Sequence, residues 1–156
     1  MDITAPNGYN IRTAVPADKE RICSLFKEML RTIYDTDDVK GYEDGVLDKY
    51  FAGGEDRIYV AESDEVAAYL SVEVHHEPGD YIYLDDFSVS RAHRNKGVGT
   101  ALIACSESYA REIGIPLIFL HVEQHNSAAL RLYQRLGWSV CSYEGHRYLM
   151  KKYITK

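Results

Sequence analysis

The sequence predicts one α/β domain built on a mixed β-sheet, and three observations lead to that prediction. Apolar residues recur at helical spacing in some segments and alternate with polar residues in others. Tight turns join several neighbouring strands, as in antiparallel meanders, while one long helix separates two strands, as in a parallel crossover. The chain has 156 residues, 46% of them hydrophobic, which suits a single globular domain over residues 1–156.

The first part of the chain predicts a strand followed by two helices. Tyr9–Thr13 alternates as a strand does, and Pro16-Ala17-Asp18 provides a helix start. The apolar residues that follow share helical spacing: Ile22, Leu25, Phe26, Met29, Leu30 and Ile33. A second, short helix is predicted around Glu43–Phe51 and ended by Gly53-Gly54.

Three strands are predicted next. Arg57–Glu62 and Val66–His76 form a pair across the turn Ser63-Asp64-Glu65. The residues Glu77-Pro78-Gly79-Asp80 then turn the chain into a strand over Tyr81–Val89.

The remainder alternates helices with strands. We expect a helix from about Gly97 to Ile113, a strand Leu117–Val122, a helix Ser127–Leu136, and strands near Ser139–Tyr143 and Tyr148–Ile154. The strands that flank the first of these helices should be parallel, and their connection right-handed.

Acidic residues are concentrated in one segment. Residues 35–56 contain eight acids and two bases, a net charge of −6, so the rest of the chain balances at 16 of each. A protein that binds nucleic acid is expected to present a basic face instead. The charge pattern therefore argues against a nucleic-acid partner.

Three features predict a cytoplasmic protein with no membrane partner. The longest apolar stretches, such as Ile115–Leu120, fall far short of the about 20 residues that cross a bilayer. The N-terminal residues lack the basic and apolar regions of a secretion signal. Cys23, Cys105 and Cys141 are widely spaced, which favours free thiols in a reducing compartment over disulfides or a structural zinc site.

The stretch Arg94-Asn95-Lys96-Gly97-Val98-Gly99-Thr100 lies between a predicted strand and a predicted helix. Its glycines allow a ligand to approach the backbone, and the first amides of a helix lack intrahelical partners. Together with Arg94 and Lys96 they form an anion site suited to a diphosphate. The alternative is a helix cap with solvated charges, since neither the Walker pattern nor the dinucleotide-binding glycine pattern is present.

A second run, from Asn126 to Trp138, completes a resemblance to the GCN5-related N-acetyltransferase (GNAT) family. The stretch that begins at Arg94 matches the family's R/Q-x-x-G-x-G/A loop. The second run matches the signature NxxAxxxYxxxGF, with Trp138 in place of phenylalanine. The two motifs lie about 30 residues apart in the family's order, and the resemblance is firm over residues 57–154.

The resemblance implies a mostly antiparallel sheet flanked by helices, with a V-shaped splay between the fourth and fifth strands that holds acetyl-CoA. It places the pantetheine arm against the backbone of Phe87, Ser88 and Val89, and it assigns the N–H of Val89 to polarising the thioester carbonyl. Asn126 would hold the pantetheine side near the start of a helix. The diphosphate would lie on the amides of Arg94, Asn95, Lys96, Gly97, Val98, Gly99 and Thr100.

The resemblance also implies N-acetylation of a primary amine by direct attack in a ternary complex. Tyr133 matches the family tyrosine that protonates the departing thiolate, and packing in the core is its alternative role. No cysteine lies within either motif, the one on the predicted cofactor helix being Cys105, so an acetyl-enzyme route has no evident nucleophile.

The base that takes a proton from the amine has several candidates. His121 occupies the strand position at which some family members carry a glutamate base, and histidine suits proton abstraction near neutrality. Asp85 and Asp86 are rivals, although successive strand residues face opposite sides and only one can face the acceptor. Three further candidates lie at the end of the predicted strand Val66–His76 and either reach the acceptor or lie in solvent: Glu73, His75 and His76. The run His75-His76-Glu77 lacks the suitably spaced partners that would define a metal site.

The acidic segment narrows the choice of acceptor. Its acids, with Tyr34, Tyr42 and Tyr50, suit a small cationic amine such as a polyamine or an aminoglycoside-like antibiotic, or a lysine side chain. The alternative is that these acids only solvate a helix pair. A peptide or protein N-terminus also stays open as the acceptor. An alternative function for the protein is a non-catalytic acyl-CoA sensor, which could dispense with Tyr133. Family members are often dimers, so the resemblance is compatible with a homodimer but does not fix the oligomeric state.

Overall fold

The computed structural model describes residues 5–155; residues 1–4 and 156, which the predicted domain includes, lie outside the described part. The described helices and strands follow in the order β1 (Asn10–Thr13), α1 (Lys19–Tyr34), β2 (Arg57–Glu62), β3 (Val66–His75), β4 (Tyr81–Val89), α2 (Val98–Ile113), β5 (Leu117–Glu123), α3 (Ser127–Arg135), β6 (Ser139–Glu144) and β7 (Arg147–Tyr153). Short 3₁₀ turns precede α1 and β2 and follow β4.

The strands form one mixed sheet in the order β1-β2-β3-β4-β5-β7-β6. The pairs β1–β2, β2–β3, β5–β7 and β6–β7 are antiparallel. By contrast, β4 and β5 are parallel, with Ile82 opposite Ile118 and Leu84 opposite Leu120, and β4 continues beyond this ladder to Val89. The predicted mixed, mostly antiparallel sheet with one parallel pair is confirmed.

The chain separates into two compact units, and β3, β4 and α2 each pass from one unit to the other. The first unit contains the residues up to Val72 and Asp86–Ser106. The second contains Glu73–Asp85 and the residues from Glu107 onward.

The apolar face of α1 fills the core of the first unit. Ile22 and Leu25 are fully buried in a cluster with Ile58, Val60 and Tyr69. Burial of a side chain of this size contributes about 1.5–3 kcal/mol, so the helical spacing of the apolar residues fixes the face that α1 turns inward.

The short helix predicted around Glu43–Phe51 is wrong over most of its length. Only Asp48–Phe51 is helical, as a 3₁₀ turn, because Gly45 has a left-handed φ of 83° that interrupts a right-handed helix. Upstream, the ring of Tyr42 stacks on Phe26 of α1, with ring centroids 4.0 Å apart. The predicted strands and the two later helices agree with the structure to within one residue at each end.

Alternation along β5 gives the second unit two distinct faces. Ile118, Leu120 and Val122 are buried, whereas Phe119 and His121 lie on the opposite face and are half-buried. A shift of register by one residue would exchange these faces, so the apolar set fixes which side chains remain available for a site.

A charged pair ties β1 to the start of α1. Arg12 donates hydrogen bonds to both carboxylate oxygens of Asp18, at 2.8 and 3.0 Å, and also pairs with Glu62. Asp18 accepts a further hydrogen bond from the Val15 N–H at 2.8 Å. The Arg12 hydrogen bond is the main reason that the pKa of Asp18 lies below its ordinary value.

Asp18→Asn should lower the free energy of unfolding near neutral pH by about 1–3 kcal/mol, because a charge-assisted pair is lost where the residue is 8% exposed. The folded-state pKa is depressed, so the stabilisation is present above the unfolded-state pKa and is lost as the pH falls through the folded-state value. Urea denaturation at decreasing pH should show the difference between wild type and variant shrinking on acidification. Asp64→Asn, at an exposed turn, serves as the control, and a pH-independent difference would contradict this account.

Candidate active site

The turn before α2 presents backbone amides in an arrangement that suits an anion. Ala101 makes the first helical hydrogen bond, to the carbonyl of Gly97 at 3.1 Å, so the amides of Val98, Gly99 and Thr100 precede the hydrogen-bonded ladder. Gly97 has a left-handed φ of 79°. Successive amides at such a turn, followed by a helix N-terminus, accommodate phosphate groups.

Two basic side chains flank these amides. Arg94 and Lys96 are both exposed, and Asn95 between them has a left-handed φ of 61°. The Nε of Arg94 donates to the carbonyl of Val89 at 3.2 Å. Arg94 therefore connects the turn to the end of β4 in addition to contributing positive charge.

Gly99 has a packing role that the sequence did not reveal. A Cβ at this position would lie 2.9 Å from Cζ of Phe87, which is closer than side chains approach one another. At Gly97, by contrast, an added Cβ meets nothing nearer than 3.7 Å, and the left-handed φ is what requires glycine. The two glycines of the motif thus serve different purposes.

The hydroxyl of Ser88 makes a hydrogen bond within the first unit. Ser88 is buried, and its Oγ donates to the carbonyl of Leu25 at 3.3 Å. Of the three residues predicted to bind pantetheine, Ser88 therefore uses its side chain in a hydrogen bond, and Phe87 packs its ring beside Gly99. Their backbone is the part left for a ligand.

The two adjacent aspartates have different surroundings. Asp86 accepts a hydrogen bond from Tyr42 Oη at 2.5 Å in the first unit, whereas Asp85 belongs to the second unit and is exposed. Tyr42 also pairs with Tyr69 Oη at 2.9 Å. Burial is the main cause that raises the pKa of Tyr42, so Tyr42 stays protonated and donates to Asp86. Asp86 thus has a structural partner that sequence reasoning did not foresee.

His121 is the centre of a hydrogen-bonded chain in the second unit. Its Nδ1 lies 2.6 Å from Tyr83 Oη, and its Nε2 lies 3.1 Å from Oε1 of Glu144. The neutral tautomer with a proton on Nε2 satisfies both contacts, with Tyr83 donating to Nδ1 and Nε2 donating to Glu144. The hydrogen bond from His121, followed by one from Ser142, lowers the pKa of Glu144, which favours its carboxylate form.

The three hydrogen-bonded side chains line a cavity of about 430 Å³ within the second unit. The side chains around it come from five strands, with most of its walls aromatic or aliphatic: Glu73, His75, Tyr81, Tyr83, Phe119, His121, Glu144 and Leu149. Three predicted candidates therefore share one cavity: Glu73, His75 and His121. Among the described residues, no group of three or more histidines, cysteines or acids could hold a metal ion.

The far side of the same cavity has its own histidine–carboxylate pair. His75 Nε2 lies 3.1 Å from Oε1 of Glu73, and the His75 ring stacks on Tyr81 with centroids 4.7 Å apart. Tyr81 in turn meets Phe119 edge to face. His76, by contrast, is exposed and pairs with Asp80 at the turn. Of these two strand-end histidines, His75 therefore lines the cavity and His76 lies in solvent.

The second motif forms the start and body of α3. Asn126 caps the helix, because its Oδ1 accepts from the Ala129 N–H at 3.2 Å. Tyr133 is buried against Trp138, and burial raises its pKa to about 12. Its hydroxyl has no hydrogen-bond partner within residues 5–155. The structure thus supplies a packing contact for Tyr133 and leaves its hydroxyl uncommitted.

The aromatic residues of the acidic segment are mostly used in the first unit's core. Tyr42 and Tyr50 are buried or half-buried there, and only Tyr34 is well exposed. A cavity of about 590 Å³ lies at the start of the segment, bordered by acids but also by Arg31 and Arg91. The segment therefore offers fewer exposed aromatic faces for a cation than the sequence suggested.

Tyr83 and Glu144 are the functional candidates that sequence reasoning missed. Tyr83 lies two residues before Asp85, so alternation alone places it on the same face of β4. Its contact with His121 depends on the parallel register, in which Tyr83 lies opposite Phe119. Glu144 approaches from β6, and no local pattern indicates this long-range contact.

Comparisons with known proteins agree on one family. A family model described as the acetyltransferase (GNAT) family matches residues 23–138. Streptothricin acetyltransferase from Streptomyces lavendulae is 32% identical over 65 residues, which cover 42% of this chain and 34% of that protein. The match thus spans about a third of that relative's length.

Two solved structures share the fold at low sequence identity. The PaiA N-acetyltransferase from Thermoplasma acidophilum, in complex with coenzyme A, has a TM-score of 0.76 at 16% identity and covers 93% of this chain and 98% of that one. The ribosomal-protein-alanine N-acetyltransferase from Brucella melitensis has a TM-score of 0.77 at 19% identity, with 92% and 99% covered. Within residues 5–155, no helix has the length and apolar character needed to cross a membrane.

Proposed function

Because the chain belongs to the GNAT acetyltransferase family, we propose that it transfers an acetyl group from acetyl-CoA to a primary amine by direct attack in a ternary complex. The observation that carries the proposal is the basic turn before α2. Its amides at Val98, Gly99 and Thr100 precede the helical ladder, and Arg94 and Lys96 stand beside them. Such a site suits a guest with closely spaced negative charges, which a diphosphate provides.

The residues proposed to hold CoA belong to three stretches. The diphosphate would contact the backbone of the turn, which comprises Arg94, Asn95, Lys96, Gly97, Val98, Gly99 and Thr100. The pantetheine arm would pair with the backbone of Phe87, Ser88 and Val89. Asn126 uses its side-chain oxygen as a helix cap, which leaves its amide nitrogen to donate to the pantetheine.

Acetyl-CoA, when bound, supplies an activated acetyl group and a thiol leaving group. In the proposed reaction the Val89 N–H donates to the carbonyl oxygen on which negative charge develops. The amine nitrogen forms a bond to the acetyl carbon, and the bond from that carbon to sulfur breaks. The amine attacks in its neutral form, so two protons move in the transfer itself: one leaves the nitrogen as the amide forms, and one reaches the sulfur.

His121 is the proposed base, and it acts through Tyr83. Both ring nitrogens of His121 are engaged, Nδ1 with Tyr83 and Nε2 with Glu144. A proton from the amine can pass to Tyr83 Oη while the phenol proton passes to Nδ1. The Glu144 carboxylate then stabilises the imidazolium that forms. Asp86 is less suited because it already accepts from Tyr42, and Asp85 is the remaining rival.

Tyr133 is the proposed acid. A pKa of about 12 keeps its phenol protonated throughout the neutral range, so the proton-donating form is fully populated. The departing thiolate takes this proton, which is then restored from water. A covalent acetyl-cysteine route is disfavoured, because burial raises the pKa of Cys105 to about 11 and keeps it a thiol.

The proposed acceptor is a small cationic amine, supported by the similarity to streptothricin acetyltransferase over 42% of the chain. The alternatives are a peptide or protein N-terminus, a lysine side chain, and a non-catalytic acyl-CoA sensor. Release of free thiol from acetyl-CoA across a panel of amines and peptides tests them together, because a sensor releases none.

We include in the proposal a cytoplasmic location, which suits three free cysteines, and a homodimeric state that light scattering would measure.

Gly97→Ala should weaken CoA binding by roughly tenfold, because alanine at a left-handed φ costs about 1–2 kcal/mol or tilts the amides. Gly114→Ala is the matched control, since Gly114 also has a left-handed φ, of 74°, and nothing lies within 4 Å of a Cβ added there. Isothermal calorimetry with CoA measures both affinities. Equal affinity in wild type and Gly97→Ala, with the fold retained by circular dichroism, would remove the turn from the proposed site.

Tyr133→Phe should lower kcat by about 10²–10⁴, the usual worth of general acid catalysis, while CoA affinity changes little. The pKa of about 12 predicts no change in the pH profile of kcat between about pH 6 and 10, because Tyr133 does not ionise there. Single-turnover kinetics measure the chemical step even if product release is slow. A variant with a normal first turnover would leave Tyr133 as a core residue only.

The pH profile of kcat/KM tests His121. An acidic limb is expected, because a protonated imidazole cannot take the proton that Tyr83 relays. His121→Ala should abolish the limb together with most of the activity, and Tyr83→Phe should reduce activity to a similar extent because the relay is broken. Survival of the limb in His121→Ala would move the role to Asp85, Asp86 or Glu73, or assign the limb to the ionisation of the amine itself.

A further inference from the structure

The cavity of the second unit has a second polar end beyond the proposed proton relay. Glu73 lies there with its side chain 15% exposed, and its carboxylate contacts His75. His75 stacks on Tyr81, and Tyr81 meets Phe119 edge to face at a centroid distance of 5.6 Å. This end thus combines a shielded carboxylate with aromatic rings, the combination that stabilises an organic cation.

We propose that this end of the cavity binds a second positive charge of the acceptor, so that the preferred substrate is a diamine or a longer polyamine. The inference rests on the proposed function, and it locates acceptor recognition at Glu73, Tyr81 and Phe119 rather than in the acidic segment. The cavity lining includes two acidic side chains, Glu73 and Glu144, and within the described residues it contains no lysine or arginine. The lining therefore favours a cationic guest over a neutral one.

The spacing of the strands sets the distance between the two charges. Tyr83 lies opposite Phe119 in the parallel ladder, and alternation places Tyr81 on the same face as Tyr83, and His121 on the same face as Phe119. Residues two apart on a strand are roughly 6–7 Å apart. An amine at the Tyr83–His121 end and a cation at the Tyr81–Phe119 end would therefore be separated by about the span of an extended four- or five-carbon diamine.

The test compares 1,4-diaminobutane with butylamine, which matches its length and lacks the second charge. We expect kcat/KM for the diamine to exceed that for the monoamine by roughly tenfold, beyond the twofold advantage of two equivalent amines. Glu73→Gln should lower the ratio of kcat/KM for the diamine to kcat/KM for butylamine by several-fold, because the amide keeps the size and accepting oxygen of the side chain but not its charge. Glu77→Gln, an exposed acid outside the cavity, is the control and should behave as wild type.

A second pair of variants tests the aromatic wall. Tyr81→Phe retains the ring and should retain the diamine preference, whereas Tyr81→Leu removes the ring and should reduce the preference several-fold. Equal kcat/KM for the two amines in wild type would overturn the inference. An equal loss for both amines in Glu73→Gln would also overturn it, because Glu73 would then act on folding or on chemistry.

Calorimetry of the full chain with the same two amines separates this inference from the proposed function. Diamine binding that weakens roughly tenfold in Glu73→Gln supports the cation site even if no amine is acetylated, in which case the proposed function fails alone. Turnover of peptides but not of diamines supports acetyl transfer and overturns the second-charge site. No binding of the diamine and no preference for it in turnover would likewise overturn it.

Discussion

The parallel ladder between β4 and β5 is the constraint on which the second unit's cavity depends. Each strand buries its even-numbered residues, Ile82 and Leu84 on one and Ile118 and Leu120 on the other. Parallel pairing in register then aligns the odd-numbered side chains on a single opposite face. Tyr83 and His121 reach hydrogen-bonding distance because the hydrophobic side of the same two strands cannot slip without exposing its core.

Several residues of the two motifs make structural contacts in addition to their proposed contacts with acetyl-CoA. Asn126 caps α3, Gly99 gives space to the ring of Phe87, and Arg94 holds the carbonyl of Val89. Each contact is local to the motif and would exist without a ligand. Such contacts reduce the conformational freedom that a bound cofactor would otherwise have to restrict, which favours binding by preorganisation.

Charge is distributed differently from what composition suggests. The segment 35–56 carries the chain's excess of acid, yet its tyrosines Tyr42 and Tyr50 serve the first unit's core. Among the described residues, the cavity of the second unit is lined by two acids, of which Glu73 is shielded, with its side chain 15% exposed, and Glu144 is open to solvent at 45%. A charge in a partly desolvated cavity acts more strongly on a ligand than the same charge in open solvent, because water screens it less.

The sequence by itself determined the order of elements, the mixed sheet, the family and the turn before α2. These depend on patterns within a few residues: apolar periodicity, glycine placement and helix starts. It failed at the helix around Glu43–Phe51, where stacking of Tyr42 on Phe26 and the left-handed Gly45 override local helical tendency. Only the tertiary structure joined Tyr83, His121 and Glu144, or gave Asp86 its partner Tyr42, because these contacts link residues 23 to 44 positions apart. Such contacts depend on strand order and register, which long-range packing decides and no local pattern encodes.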